Sequence, residues 1–154
     1  MASLSAENIS EELKDDLKVK VAGVDADGIL RGKVMAKEKF LSTVTLGFGF
    51  SSAVFGWDMH DALLTSEVAT AAATSGYTDI IAVADLSSFR RLPWENNMPF
   101  FLLHFHVGGK PVAACPRGIM SSITKKLAAN NFKALAGGKT IICHFEDCLA
   151  RFDD

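Results

Sequence analysis

Asp85-Leu86-Ser87-Ser88-Phe89-Arg90-Arg91-Leu92-Pro93-Trp94 is the stretch on which the reading of this chain turns. An apolar run stops at an acid, and an aromatic, basic, proline-locked segment takes over, which predicts a shaped loop. Pro93 fixes its own φ and pushes Leu92 toward extended geometry, so the chain leaves Arg90-Arg91 in a set direction. On one side, Thr78 to Ala84 is a β-branched and alanine run of strand length. On the other, Phe100 to Val107 is a second such run, and Gly108-Gly109 leads into Lys110 to Ala114 as the return strand of a hairpin.

Further out, Pro116 has the position of a first helical residue, with Ile119, Ile123 and Leu127 aligned at four-residue spacing. Gly137-Gly138 closes the segment after that helix, and Lys139 to Asp154 carries a short apolar run and an acidic end. Toward the amino terminus, Leu63 to Ser75 is rich in alanine and threonine and fits a loop or a weak helix equally. Val54 to Asp61 packs two aromatics, a glycine, two acids and a histidine into a stretch without periodicity, the kind of loop on which function often sits. Gly47 to Ser52 is too glycine-rich to predict regular structure. Lys37 to Val44 predicts a brief helix with Phe40, Leu41 and Val44 inward. Lys18 to Val21 alternates with period two, and Asp25-Ala26-Asp27-Gly28 supplies a turn before Ile29 to Met35, a hairpin. Ile9, Leu13 and Leu17 place one apolar stripe on a short helix. Four or five mostly antiparallel strands with two or three helices make an α+β domain.

Composition bounds the function. The chain has 154 residues, 49% hydrophobic and 22% charged, enough for one core. Net charge is −2 with no dense basic block, which favours neither nucleic acid nor an anionic membrane as partner. Its apolar runs fall far short of the roughly 20 residues needed to span a bilayer. An acidic start without an apolar middle does not read as a signal peptide, and three cysteines are too few for a disulfide framework, so a cytoplasmic location is expected.

Asp-Leu-x-x-Phe-Arg-x-Leu-Pro-Trp resembles the signature of the amino-terminal β-grasp domain of glutamine synthetases, particularly the fungal glutamine-synthetase-like branch. Further segments occur in that family's order. They are Asp25 to Gly28 with Arg31-Gly32-Lys33, Val54 to Asp61, Gly76-Tyr77-Thr78-Asp79, Gly109-Lys110-Pro111, and Cys115-Pro116-Arg117-Gly118. The resemblance spans roughly Val19 to Gly137 and implies a β-grasp-like antiparallel or mixed sheet with packed helices. Its expected organisation is a helical segment over 1–17, the β-grasp-like domain over 18–114, the first helix of a shortened catalytic domain over 115–137, and a divergent tail over 138–154.

The family's reaction is ATP-dependent ligation of ammonia or an amine to the γ-carboxylate of glutamate, central to nitrogen metabolism and glutamine biosynthesis, in sites between neighbouring subunits of an oligomeric ring. By resemblance, Asp58 matches a loop aspartate that helps bind and deprotonate ammonium, chemistry that a carboxylate can perform. The family's metal-binding Glu-x-Glu pair has no counterpart here: the corresponding place reads Gly137-Gly138-Lys139-Thr140-Ile141-Ile142, and after Glu95 the sole glutamate is Glu146. ATP with magnesium or manganese belongs to the full-length family, and no cofactor is expected for this chain, because clamping a transferring phosphoryl group needs several converging oxygens. The expectation is a truncated glutamine-synthetase-like protein without catalysis of its own. The alternative is a stand-alone regulatory module that associates with full-length subunits; self-association through the Ile119-Ile123-Leu127 stripe is a further expectation.

The remaining candidates carry plainer readings beside the functional ones. Asp58 could cap a turn. His104 and His106 share a strand face and lack an identifiable third ligand, so core or surface histidines are favoured over a metal site. Cys143-His144-Phe145-Glu146-Asp147-Cys148 does not match a familiar zinc spacing. Cys115 precedes a helix start, where a thiol can be activated. Arg90 and Arg91 are expected to meet a local carboxylate such as Asp85, and Trp57 and Trp94 to serve packing.

Overall fold

A computed structural model describes residues 4–64, 71 and 76–135. Two compact units are found, Met1–Ile123 and Thr124–Asp154. In the first, strands β1 (Lys18–Val24), β2 (Leu30–Ala36), β3 (Phe48–Ser51), β4 (Asp79–Leu92), β5 (Met98–Val107) and β6 (Lys110–Pro111) form one sheet. Its order is β2-β1-β5-β4-β3, with β6 also paired to β5. Every pairing is antiparallel except β1 with β5, where Lys20, Val21 and Ala22 run parallel to Phe100, Phe101 and Leu102. With helices α1 (Ile9–Glu12), α2 (Lys37–Thr43) and α3 (Pro116–Ala129), this is the expected α+β class with a mixed sheet.

Period-two alternation decides which face is dry. Val19 and Val21 on β1, Ile80 and Ala82 on β4, and Phe101, Leu103 and Phe105 on β5 are all buried on one face, with Phe40 from α2 and Ile9 and Leu13 from the N-terminal segment over them. Phe101 stacks between Phe40 and Phe89, at 4.8 and 5.2 Å, while Phe105 meets the edges of Phe50 and Phe55 at 5.3 and 5.4 Å. Each such side chain contributes about 1.5–3 kcal/mol on burial. Gly23 leaves the room that Phe105 fills: a Cβ there would stand 2.1 Å from the ring.

Several expectations are corrected. The stripe Ile9-Leu13-Leu17 breaks after Leu13, because the Leu17 carbonyl accepts the Lys37 amide at 3.0 Å and extends the β1–β2 ladder, leaving its side chain 80% exposed. Gly47 to Ser52 is not irregular: Phe48 to Ser51 pair with Ala82 to Asp79, and Gly47 at φ +79° turns the chain into that strand. Lys110 to Ala114 keeps strand geometry only at Lys110–Pro111.

The decisive stretch is corrected too, since β4 continues through it to Leu92. Between the pairs Asp85↔Leu102 and Arg90↔Phe100 the register shifts, with five steps on β4 against two on β5, a bulge of three extra residues. Ser88 makes this possible: its hydroxyl donates to the Asp85 carbonyl at 2.6 Å and accepts the Leu102 amide at 2.8 Å, standing in for a ladder bond. Leu92 is extended, as a residue before proline should be, and Pro93–Glu95 form a 3₁₀ turn. Asn96 and Asn97, both in the left-handed region, then reverse the chain into β5.

α3 begins at Pro116, with Cys115 accepting the Ile119 amide at 3.0 Å. Gly118 is its buried residue, whereas Ile119 and Ile123 are 46% and 49% exposed. In the second unit, Asn131 at φ +62° ends the helix. Most of Leu63 to Ser75, and all of Gly137-Gly138, the Cys143–Cys148 cluster and the tail over 138–154, lie outside the described residues. Among the described residues no helix is long and apolar enough to cross a membrane.

Candidate functional site

Asp58 sits in a small hairpin. Trp57 bridges Leu63, the Asp58 amide donates to the Ala62 carbonyl at 2.9 Å, and Asp61 takes φ +64° at the tip. The Asp58 carboxylate caps this turn: Oδ1 accepts the amides of His60 at 2.8 Å and Ala62 at 2.9 Å. Oδ2 has no partner among the described residues. The Ala62 and His60 amides, aided by the charges of His60 and Arg31, outweigh partial desolvation and hold the carboxyl below the usual carboxylate range. The anticipated capping role and an ionised carboxyl with one oxygen uncommitted among the described residues therefore coexist in one side chain.

What holds this hairpin in place is Arg31 on β2, a residue that composition and periodicity did not single out. Arg31 alternates with Leu30 and Gly32 and so projects from the opposite face of its strand. Its Nε donates to Asp25 Oδ2 at 2.8 Å, Nη1 to the Asp61 carboxylate, and Nη2 to the Asp58 carbonyl at 3.0 Å, with the Trp57 ring 5.8 Å away. Asp25 is fully buried, and its Oδ1 accepts the amides of Asp27 and Ile29 at 3.0 and 2.8 Å. The one available signal was the turn spacing: an Asp two and four residues before turn amides, with a strand arginine six residues on.

A second polar cluster lies where β4 bulges. Asp85 Oδ1 accepts the Ser87 amide and hydroxyl at 3.0 and 2.6 Å, and Oδ2 accepts from Arg117 and lies 3.5 Å from His104 Nε2. Burial alone would raise the Asp85 carboxyl, but the bonds from Ser87 and the charges of Arg117 and His104 outweigh it and hold it low. Burial, then the Arg117 charge, pushes the His104 imidazole below its usual value despite Asp85. The partner expected for Arg90 and Arg91 is corrected: Asp85 takes Arg117, Arg91 forms a fork on Asp16 at 3.0 and 2.9 Å, and Arg90 lies over the Phe100 ring at 5.0 Å. Trp94 does not pack inside; it is 78% exposed beside a groove of about 670 Å³ that Lys20, Ala22, Leu92 and Phe100 also line. Cys115 is free and buried.

These side chains do not suit a divalent ion. Asp25 and Asp61 are both engaged by Arg31, His104 faces a carboxylate already taken by Arg117, and no group of three ligating side chains converges among the described residues.

The fold is an α+β domain with a mixed sheet, and it carries an acidic hairpin braced by Arg31. No protein-family model matches the sequence. The chain is 43% identical over 120 residues to Type-1 glutamine synthetase 2 of Dictyostelium discoideum, covering 77% of this chain and 23% of that protein. It is 32% identical over 120 residues to glutamate–isopropylamine ligase of a Pseudomonas species, covering 77% of this chain and 26% of that protein. Among solved structures it is similar to GmaS in complex with ADP, with TM-score 0.61 and 22% identity, over 83% of this chain and 26% of the other. This chain belongs to the glutamine synthetase and glutamate ligase family, and it spans about a quarter of the length of the relatives it matches.

Proposed function

We propose that this domain forms one wall of the site of an ATP-dependent ligase that joins ammonia or an amine to glutamate, with Asp58 facing the ammonium or protonated amine. The β-grasp description and the fungal-type assignment belong to this reading. The parallel β1–β5 pair beside the β1–β2 hairpin supports the former, and the motif order supports the latter. The observation that carries the proposal is Asp58 itself: one oxygen pinned by two amides, the other uncommitted among the described residues, on a carboxyl that stays ionised. An ionised carboxylate stabilises an ammonium by charge and can accept its proton.

Phosphoryl transfer is left to a catalytic domain that these 154 residues do not contain, since Glu146 is the sole glutamate after Glu95. Magnesium or manganese and ATP would be held there, and the truncated reading of the chain rests on the same count. A cytoplasmic, reducing setting fits the free thiol of Cys115.

The test is a transplant. The matching region of Type-1 glutamine synthetase 2 is replaced with this domain, and ATP-dependent amide formation from glutamate and ammonia or isopropylamine is measured. The active chimaera should lose about 100-fold in kcat/KM on Asp58→Asn, the scale of a general base. Undiminished turnover would remove Asp58 from the reaction, and ADP release by the isolated chain would overturn the non-catalytic reading.

The half-exposed Ile119 and Ile123 favour a second reading, in which the chain associates with full-length glutamine synthetase subunits or with itself. Light scattering with and without such a subunit decides it; a monomer that ignores the subunit at micromolar concentration sinks it.

A further inference from the structure

We propose that Arg31 is the positioning residue that aims the Asp58 carboxylate, using buried Asp25 as its anchor. The proposal takes its functional meaning from the reading of Asp58 as the amine-facing group, but its geometry stands independently.

Asp25 cannot move cheaply: it is fully buried, with Oδ1 filled by two turn amides and Oδ2 by Arg31 Nε. A guanidinium is a rigid planar fork, so fixing Nε fixes the directions in which Nη1 and Nη2 donate. Those two directions meet the Asp61 carboxylate and the Asp58 carbonyl, at the tip and the base of the hairpin. Asp58 is thus held by its own carbonyl, which also accepts the Asp61 amide at 3.1 Å. Its carboxylate is tied to the same hairpin through His60 and Ala62. Backbone and side chain of Asp58 then share one frame, and that frame is bolted to β2. A lysine could match the charge and satisfy one of these acceptors, but it could not satisfy three diverging ones.

The charged groups around Asp58 are Arg31 and His60, which favour its ionised form, and Asp61, whose charge Arg31 offsets. Releasing the fork removes one of these cations and loosens the two capping amides together.

The experiment is carboxyl-detected NMR titration of Asp58 in the whole 154-residue chain, with amide exchange at His60 and Ala62, for wild type, Arg31→Met, Arg31→Lys and Asp61→Asn. Arg31→Met should move Asp58 up toward the ordinary carboxylate range and speed exchange at His60 and Ala62 about tenfold, with Phe101 to Phe105 unchanged. Arg31→Lys should reproduce most of this shift, while Asp61→Asn, which leaves two prongs in place, should reproduce little. Should Arg31→Met fail to fold, Arg31→Lys carries the test. Wild-type titration and protection of Asp58 in a folded Arg31 variant would overturn the positioning role. Failure of Asp58→Asn to affect the transplanted ligase would instead overturn the amine reading and leave the Arg31 geometry standing, so the two failures are told apart. In that ligase, Arg31→Lys should raise the amine KM more than it lowers kcat, a split that a staple acting on stability alone would not give.

Discussion

Asp25 and Asp85 each hold an arginine, and they use it differently. Asp25 closes a local circuit: its turn amides and Arg31 come from the same hairpin, every bond is near 3 Å, and no water reaches it. Asp85 closes a long one, joining the bulge of β4 to the start of α3 through Arg117 and to β5 through His104. That circuit is incomplete, because Arg117 Nε is buried without a hydrogen-bond partner among the described residues. A short circuit saturates because turn geometry places donor and acceptor together. A circuit between distant elements must accept whatever positions packing leaves, and it stays sensitive to protonation.

The sharpest way to break the comparison is Asp25→Ala, which strands Arg31 and two turn amides at once. A loss of about 2–4 kcal/mol is expected in urea unfolding, and a loss below that of a surface substitution would mean the circuit is not saturated. Next, Ser88→Ala should cost about 1–2 kcal/mol by leaving the Leu102 amide unpaired within the bulge, with faster exchange confined to that amide and its neighbours.

A smaller, conditional effect comes from His104. Its folded-state value lies below the ordinary 6.5, so the unfolded chain takes the proton first; the contribution to stability is complete above that value and is lost as pH falls through it. Thermal melts from about pH 7.5 down to about pH 5.5 should show stability declining, and His104→Gln should flatten that slope; an unchanged slope would assign it elsewhere. Smallest of all is Asp58→Asn. The amide oxygen can still cap His60 and Ala62, so the melting temperature should stay within about 2 °C of wild type. A large drop would mean Asp58 belongs to the structural circuit rather than facing outward.

Much of this was legible in the sequence. Alternation marked β1, a run of strand length marked β5, Asp25 to Gly28 marked the first turn, and Pro116 marked the start of α3, because each depends on neighbours a few residues away. Gly49 masked the alternation of Phe48 and Phe50 in β3, which exists because β4 offers it an edge. Asp85 to Leu92 read as a loop because its polar residues broke the hydrophobic pattern, yet Ser88 supplies the missing ladder bond from its side chain. At the candidate site, the motif singled out Asp58. Arg31 carried no signal of its own role, since its three acceptors lie six, 27 and 30 residues away.

By itself the sequence determined the α+β class and the family, because local propensity, turn chemistry and motif order are written along the chain. Tertiary structure alone decided that β4 runs on through its bulge, that Arg91 pairs with Asp16, and that one guanidinium fastens the Asp58 hairpin to β2. Hydrogen bonds join groups that packing brings within about 3 Å, and no pattern along the chain states which groups those will be.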